Sequence, residues 1–545
     1  MNIFIPDSWL RDFLKSDASP KEVAIALSAG SLNVERIKEI GTDTVYEIET
    51  TPNRYDCLSV LGIAREAAAV LVHQGKKAKF SEERSTIEFP AKPTLSLNPS
   101  ISNSELCPRF CAFVIDGVKI QPSDAMIVRR LEKAGLRSLN NVIDATNYIM
   151  LESGQPLHAF DFDKLAGTGP KRTMNLRESR TGEELRTLDG KLRKLPAGSI
   201  VIDDGEKLID LCGIMGGENS AIGPKTTRVI LFSQIYDPLR LRQTSKSLAH
   251  RTEAVLRFEK GLDPERVLPA LYSVAKIILK DGGDVASTLY NINSNPFQPH
   301  NVVLTLKKLN QYLGIVLEIE AINGILSSLG FNLVESSKTE CRWQVPSWRD
   351  KDVAIEEDLI EEVARIYGYD KLPTTLPKGS PPSEVVSKQF ENEKMIKIIL
   401  RDLGFVEVYG QSLIPKMLAV GGELQLTNPL SEDQVYLRRD LIPSLIAVAE
   451  ENKIRFPKLK IFEMANVYLA NADGNQLPKE IMTLAALFTC DGNVQEGINR
   501  ARGIYERILS EFNIPANQTL TLGANLGKIK DNLFGFQIPL ESLWK

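Results

Sequence analysis

Apolar and polar positions along this chain follow two rhythms. In "TPNRYDCLSVLGIAREAAAVLVHQG" (51–75), Leu61, Ala64, Ala68 and Leu71 recur at helical spacing, which predicts an amphipathic helix. "PDSWLRDFL" (6–14) and "SPKEVAIALSAG" (19–30) read as earlier helices, the second started by Ser19 and Pro20 and stopped at Gly30. "DAMIVRRLEKAG" (124–135) and "ENEKMIKIILRDLG" (391–404) read as later ones. Strand patterns occupy "TVYEIET" (44–50), "RFCAFVIDGV" (109–118), "GSIVIDD" (198–204), "VEVYGQSL" (406–413) and "LKIFEMANVYL" (459–469). Residues 300–372 read strand, helix, helix, strand, then an acidic helix. No sustained βαβ alternation appears, so the expected class is α+β.

The elements fall into blocks. Proline-bearing stretches at 80–106, 293–301 and 372–384 read as linkers, giving blocks at 1–80, 105–290, 300–372 and 385–545. A length of 545 residues is too great for one hydrophobic core. Apolar residues at 43% and charged residues at 25% are ordinary for a globular protein, and a net charge of −4 excludes a strongly basic nucleic-acid binder while leaving room for a local basic patch. No apolar run is long enough to span a bilayer, and no signal peptide opens the chain. Of the six cysteines only Cys107 and Cys111 lie close together, with no second pair or histidine cluster to complete a zinc site. Reduced structural thiols, a cytoplasmic setting and no membrane partner are expected.

Two constellations carry candidate chemistry. "RDKDVAIEEDLIEEVARIYGY" (349–369) holds seven carboxylates between Asp350 and Glu362. With a helix starting near Ala354, Asp358, Glu361 and Glu362 share a face, and Asp352 lies near the helix start. Spacing alone fits either a wet acidic face paired with lysines or a hard-cation site; Glu356 and Glu357 are read as facing water. The second constellation is Thr146, Asn147 and His158 with the glycine-rich "CGIMGG" (212–217). A histidine beside Gln155-Pro156 could orient water or hold a ribose, and glycines let backbone N–H groups approach a ligand. Glycine turns and a satisfied structural histidine are the alternative.

Several long strings decide between these readings. "YEIETTPNRYDCLSVLGIAREAAAVL", "LRSLNNVIDATNYIMLESGQPLHAFD", "LCGIMGGENSAI", "RTEAVLRFEKGLDP", "VPSWRDKDVAIEEDLIEEVARIYGYDKLP" and "LTNPLSEDQVYLRRDLIPSLI" resemble the β subunit of phenylalanyl-tRNA synthetase, in that family's order and over nearly the whole chain. The resemblance implies an N-terminal α/β domain, an editing-type domain, a winged-helix-like domain and a class II synthetase-like antiparallel domain without catalytic function. It also implies a shortened version, since "SLNVERIKEIGTDTVYEIET" leaves no room for the oligonucleotide-binding insert and the C-terminal anticodon-binding domain is not found.

By the same resemblance, Asp352, Asp358, Glu361 and Glu362 match an Asp-x5-Asp-x2-Glu-Glu pattern assigned to Mg²⁺. Thr146, Asn147, His158, Gly213 and Gly216 match a pocket that hydrolyses tyrosine misattached to tRNA(Phe). One position departs. The family's tyrosine-reading glutamate falls at Phe232, which cannot accept a hydrogen bond, so editing is expected to be weak or lost. No Gly-x-Gly-x-x-Arg follows residue 385, and Arg438 and Arg439 read as structural or interfacial. The resulting expectation is a non-adenylating β subunit of an α2β2 phenylalanine–tRNA ligase, with ATP and phenylalanine bound by α, and tRNA(Phe) as a further partner. A free-standing tRNA-editing hydrolase and an RNA-binding scaffold are the rivals.

Overall fold

The computed structural model describes residues 2–376, 379–380, 385–471, 473, 476–515 and 525–543. It divides into two compact units, Met1–Leu376 and Pro377–Lys545. The 372–384 linker lies partly outside the described residues.

The first unit opens with β1 (Asn2–Pro6) and helix α1 (Asp7–Phe13), which buries Trp9 and Leu10. Helix α2 (Pro20–Gly30) starts on a capping box between Ser19 and Glu22. Gly30 is its last helical residue rather than its stop. Strands β2 (Val34–Ile40) and β3 (Asp43–Glu49) form a sheet in the order β1-β3-β2. Only Gly41 and Thr42 join them, and Gly41 turns at φ +66°. Helix α3 (Val60–His73) is shorter than the periodic run, because Tyr55–Cys57 forms a separate 3₁₀ turn and Ser59 caps the helix by accepting from Gly62 N.

The next stretch builds two sheets. Strands β4 (Ser96–Ile101), β5 (Arg109–Asp116), β6 (Leu157–Asp161), β7 (Lys171–Glu178), β8 (Ile200–Asp203), β9 (Leu208–Leu211), β10 (Met215–Gly216) and β11 (Arg228–Ile235) are shared between them. One sheet runs β10-β9-β8-β7-β4, and the other has β5, β11 and β6 as successive neighbours. The linker reading of 80–106 is corrected here, since β4 pairs in parallel with β7. Its Pro99 is tolerated because β4 is an edge strand. Helix α4 (Asn141–Ser153) packs on β6, and α5 (Val267–Lys280) covers β5 and β11.

The first unit ends with β12 (Asn301–Thr305), α6 (Leu306–Leu313), α7 (Ile319–Ser328), β13 (Asn332–Ser336), β14 (Glu340–Gln344) and α8 (Glu356–Tyr367). The strands order β12-β14-β13, one strand more than the sequence pattern suggests. Helix α8 begins two residues after the expected Ala354.

The second unit carries α9 (Lys388–Asp402), β15 (Val406–Glu407), α10 (Ile442–Asn452), β16 (Lys460–Leu469), β17 (Lys479–Thr489), α11 (Val494–Glu511), β18 (Asn525–Lys530) and β19 (Leu533–Pro539). They form a sheet ordered β15-β16-β17-β19-β18, antiparallel except at β15. Strand β17 shows why it sits between two layers. Leu484, Ala486 and Phe488 join the core with α9 and α11, whereas Ala485 and Leu487 join the one with α10. "VEVYGQSL" is a strand only at its ends, Val406–Glu407 and Leu413–Ile414. Among the described residues all six cysteines are free and buried, and no helix is long and apolar enough to cross a membrane.

A Cβ on Gly62 would lie 2.0 Å from the carbonyl oxygen of Asp56, so the first turn of α3 can sit on the preceding turn only with glycine there. Gly62→Ala is expected to destabilise the first unit by about 1–3 kcal/mol, read as a lower urea midpoint at unchanged slope.

Candidate functional site

His158 lies on β6 directly opposite Phe232 of β11, so the two side chains share a face. Their rings meet edge to face at 5.6 Å between centroids, and Phe160 packs on both, 5.0 Å from His158 and 4.7 Å from Phe232. Phe110 of β5 closes the wall 6.1 Å from Phe232. Phe232 is fully buried. Opposite the imidazole stands Gly216 of β10, where a Cβ would lie 2.5 Å from His158 Nε2. Only glycine lets that backbone come so near. Gly213 turns at φ +65°, and a Cβ there would press on Leu241, Phe258 and Tyr236.

Burial lowers the His158 pKa to about 4, so at neutral pH the imidazole is uncharged and one ring nitrogen can accept a proton. His158, Gly216 and Phe232 are therefore brought together, with Gly213 setting the turn before β10. Thr146 and Asn147 lie on α4, which packs against β6. The Thr146 hydroxyl is turned to its own helix, donating to Ile143 O at 2.7 Å.

The acidic segment is organised differently from the sequence expectation. Glu362 is buried, and both of its oxygens accept from two guanidinium groups. Oε1 is 2.8 Å from Arg349 Nη2 and 2.9 Å from Arg365 Nε; Oε2 is 2.8 Å from Arg349 Nη1 and 2.5 Å from Arg365 Nη2. Arg365 also donates to Glu66 of α3 at 2.7 Å and to Gly30 O at 2.9 Å, and Arg54 reaches Glu66 at 2.6 Å. Burial pushes the Glu362 carboxyl up, but Arg365 and Arg349 outweigh it and hold the group well below the usual carboxylate range. Burial likewise opposes, and Arg365 and Arg54 likewise depress, the Glu66 carboxyl.

Asp352 accepts from Arg349 Nε at 2.7 Å and from Asn53 at 2.7 Å, while Asp358 accepts the backbone N–H groups of Ala354 and Ile355 at 2.7 and 2.9 Å. Glu361 is exposed. Glu356 and Glu357 do not simply face water. Glu356 accepts from Thr305 N and Oγ1, each at 2.6 Å, and both pair with Lys308.

Three domain families match the sequence: a B3/4 domain over residues 106–283, a tRNA synthetase B5 domain over 302–369, and the phenylalanyl-tRNA synthetase β chain CLM domain over 372–525. The phenylalanine–tRNA ligase β subunit of Geobacter metallireducens is 39% identical over 495 residues, covering 87% of this chain and 60% of that one. That of Carboxydothermus hydrogenoformans is 37% identical, covering 83% and 56%. The chain belongs to the phenylalanyl-tRNA synthetase β-subunit family. It spans about 60% of the length of the curated relatives it matches.

Within this β-family chain, His158, Gly216 and Phe232 lie in the B3/4 region, and Arg349 and Glu362 in the B5 region. The donor set does not fit a magnesium ion held by all four carboxylates. A carboxylate offers about four lone-pair sites, and Glu362 spends them on Arg349 and Arg365. Among the described residues, no three of Asp352, Asp358, Glu361 and Glu362 bring ligand oxygens within 4.8 Å of one another. The four positions are not gathered into one cluster, and their match to a magnesium site rests on the resemblance. The sequence reading missed Arg349 and Arg365, although each stands three residues from an acidic partner, Asp352 and Glu362, and that spacing was the available signal. In the CLM region Arg438 is buried against Glu463 at 2.7 Å and donates to Asn466 O, and Arg439 donates to Gly421 O, so Arg438 holds carboxylate and backbone, and Arg439 backbone, within the second unit.

Glu362→Gln leaves buried guanidinium charge without its carboxylate and is expected to cost about 3–5 kcal/mol. Because Glu66 and Glu362 have folded-state pKa values below the unfolded value of about 4.3, their contribution is complete above that pH and lost as pH falls through the depressed values. Urea midpoints measured downward from about pH 7 should fall steeply below about pH 4 in the native chain, and less steeply in Glu362→Gln.

Proposed function

We propose that this chain acts as the β subunit of a phenylalanine–tRNA ligase. In that reading it pairs with α subunits as α2β2 in the cytoplasm, supports ATP-dependent attachment of phenylalanine to tRNA(Phe), and leaves adenylation to α. The observation that carries the reading is the run of B3/4, B5 and CLM domains in one chain at 39% identity to a named β subunit. The state of Arg438 supports the division of labour. Its guanidinium is committed to Glu463 and Asn466 O and is not free to hold an ATP phosphate. A magnesium requirement belongs to this reading at the level of the holoenzyme, with Asp352, Asp358, Glu361 and Glu362 as the positions that the resemblance offers to the ion.

The B3/4 region is proposed as an editing-type pocket with a weakened tyrosine reader. A neutral His158 beside the Gly216 backbone can orient a water against an ester carbonyl. Thr146, Asn147 and Gly213 are carried with it as supporting positions. Phe232 makes the facing wall apolar, and an apolar wall rejects or selects an added hydroxyl only weakly, whereas a hydrogen-bonding one separates the two substrates by ~10⁴–10⁵.

Two measurements test this. Phenylalanine-dependent ATP–pyrophosphate exchange should appear only when α is added; exchange by this chain alone would overturn the proposed division. Hydrolysis of Tyr-tRNA(Phe) by the αβ complex should be slow with the native chain and rise at least about tenfold in Phe232→Glu, given the discrimination a hydrogen-bonding reader supplies. Rapid hydrolysis by the native chain would show that another group reads the hydroxyl.

A further inference from the structure

The first unit contains a cavity of about 560 Å³ outside the His158 pocket, lined by residues of α3, α7 and the segments around Phe80, Asp263 and Trp348. Arg65 of α3 lines it. This arginine is only 7% exposed, and its guanidinium lies over two aromatic rings, 4.1 Å from the Trp348 centroid and 5.1 Å from that of Phe80. Stacking of this kind fixes the plane of the guanidinium while leaving its edge free.

Its edge is free in fact. Other buried arginines such as Arg54, Arg349, Arg365 and Arg438 all donate to carboxylates, and Arg172 to backbone carbonyls. Among the described residues Arg65 has neither a hydrogen-bond acceptor nor a carboxylate oxygen within 4.0 Å. Burial, and then the neighbouring Arg266, hold its pKa below the ordinary arginine value, and the more distant carboxylates of Asp56 and Glu82 oppose the shift without outweighing it. Arg266 is itself paired with Glu82, so it does not add a second uncompensated charge. The Arg65 nitrogens are not sealed off, since none of them is among the buried donors left without a partner, so an acceptor entering the cavity can reach them.

We infer that this cavity binds a small organic carboxylate, with Arg65 taking the carboxylate in its planar fork and Trp348, Ala69 and Pro269 receiving the apolar part. One buried uncompensated charge matches a monoanion better than a phosphate dianion, because Glu82, Asp263 and Glu265 stand in the same lining. The volume lies in the ordinary range of metabolite sites, ~300–1,000 Å³.

The test is a calorimetric titration of the full chain with benzoate, with inorganic phosphate and tRNA as separate arms. Benzoate should bind saturably. Arg65→Lys keeps the charge but loses the fork, and should weaken binding at least about tenfold. Ser327→Trp narrows the cavity from its exposed rim without touching Arg65, and should also weaken binding, which separates loss of the site from loss of the fold. Arg84→Gln, at an exposed lining position, should leave benzoate binding unchanged. The inference is overturned if benzoate shows no saturable binding, if Arg65→Lys binds it as well as the native chain, or if phosphate or tRNA binds through Arg65 in preference to benzoate.

Discussion

A buried exchange of charge between α3 and α8 holds the first unit in one arrangement. Glu66 comes from α3, Glu362 and Arg365 from α8, Arg349 from the turn before α8, and Arg54 from the turn before α3. Removing each ion from water costs several kcal/mol, which a single pair does not recover. Here every oxygen of Glu362 has two donors, and Glu66 takes Arg54, Arg365 and the Ser31 hydroxyl. The attraction in a poorly polarisable interior then acts on groups with no lone pair left to desolvate for nothing. An apolar set of equal volume would hold the helices about as firmly. The charged set fixes which face of α8 meets which face of α3, because a slip of one residue strands a buried charge.

That constraint also explains why the carboxylates of the acidic segment point to separate partners. Asp352 and Glu362 both answer to Arg349, and Asp358 is occupied with the N–H groups of Ala354 and Ile355 just before its own helix, where its charge also suits the positive end of the helix dipole. Seven carboxylates in one short stretch are thus divided among arginines, a lysine, a histidine, a helix start and water. The same economy appears around His158, where an apolar wall and a glycine backbone replace partners. A half-buried imidazole with no carboxylate beside it stays neutral, and neutrality is what a group orienting water requires.

Much of this was legible from the sequence, and the misses have physical causes. Helical periodicity located α1, α2 and α9, and the Ser19–Glu22 capping box was visible as Ser-Pro-x-Glu. Alternation located β16, whose partners fill both faces. The β4 strand was hidden because an edge strand tolerates proline and so looks like a linker. The start of α3 was misplaced because periodicity continues through Leu58, while the backbone there is set by Ser59 and by the close contact between Gly62 and Asp56. Phe232 was singled out by the family resemblance, counting on from Gly213, and strand pairing sets it opposite His158. Burial partners are harder. Arg65 carries no motif, and its stacking on Trp348 arises from residues 283 positions apart that only the folded chain brings together.

The second unit completes the argument from the opposite direction. A five-stranded sheet with α9 and α11 on one face and α10 on the other buries apolar side chains on both sides, so a charge within it must be answered locally. Arg438 and Glu463 answer each other, at 2% exposure each, and Gly410 N donates to the same carboxylate. A Cβ on Gly410 would come within 3.1 Å of both side chains, so the glycine is what lets the loop close over the pair. An arginine so enclosed cannot release its carboxylate to a nucleotide without leaving Glu463 buried and unpaired, a loss of about 3–5 kcal/mol. Arg438 is therefore committed to packing within this unit, and one ion pair sets that commitment.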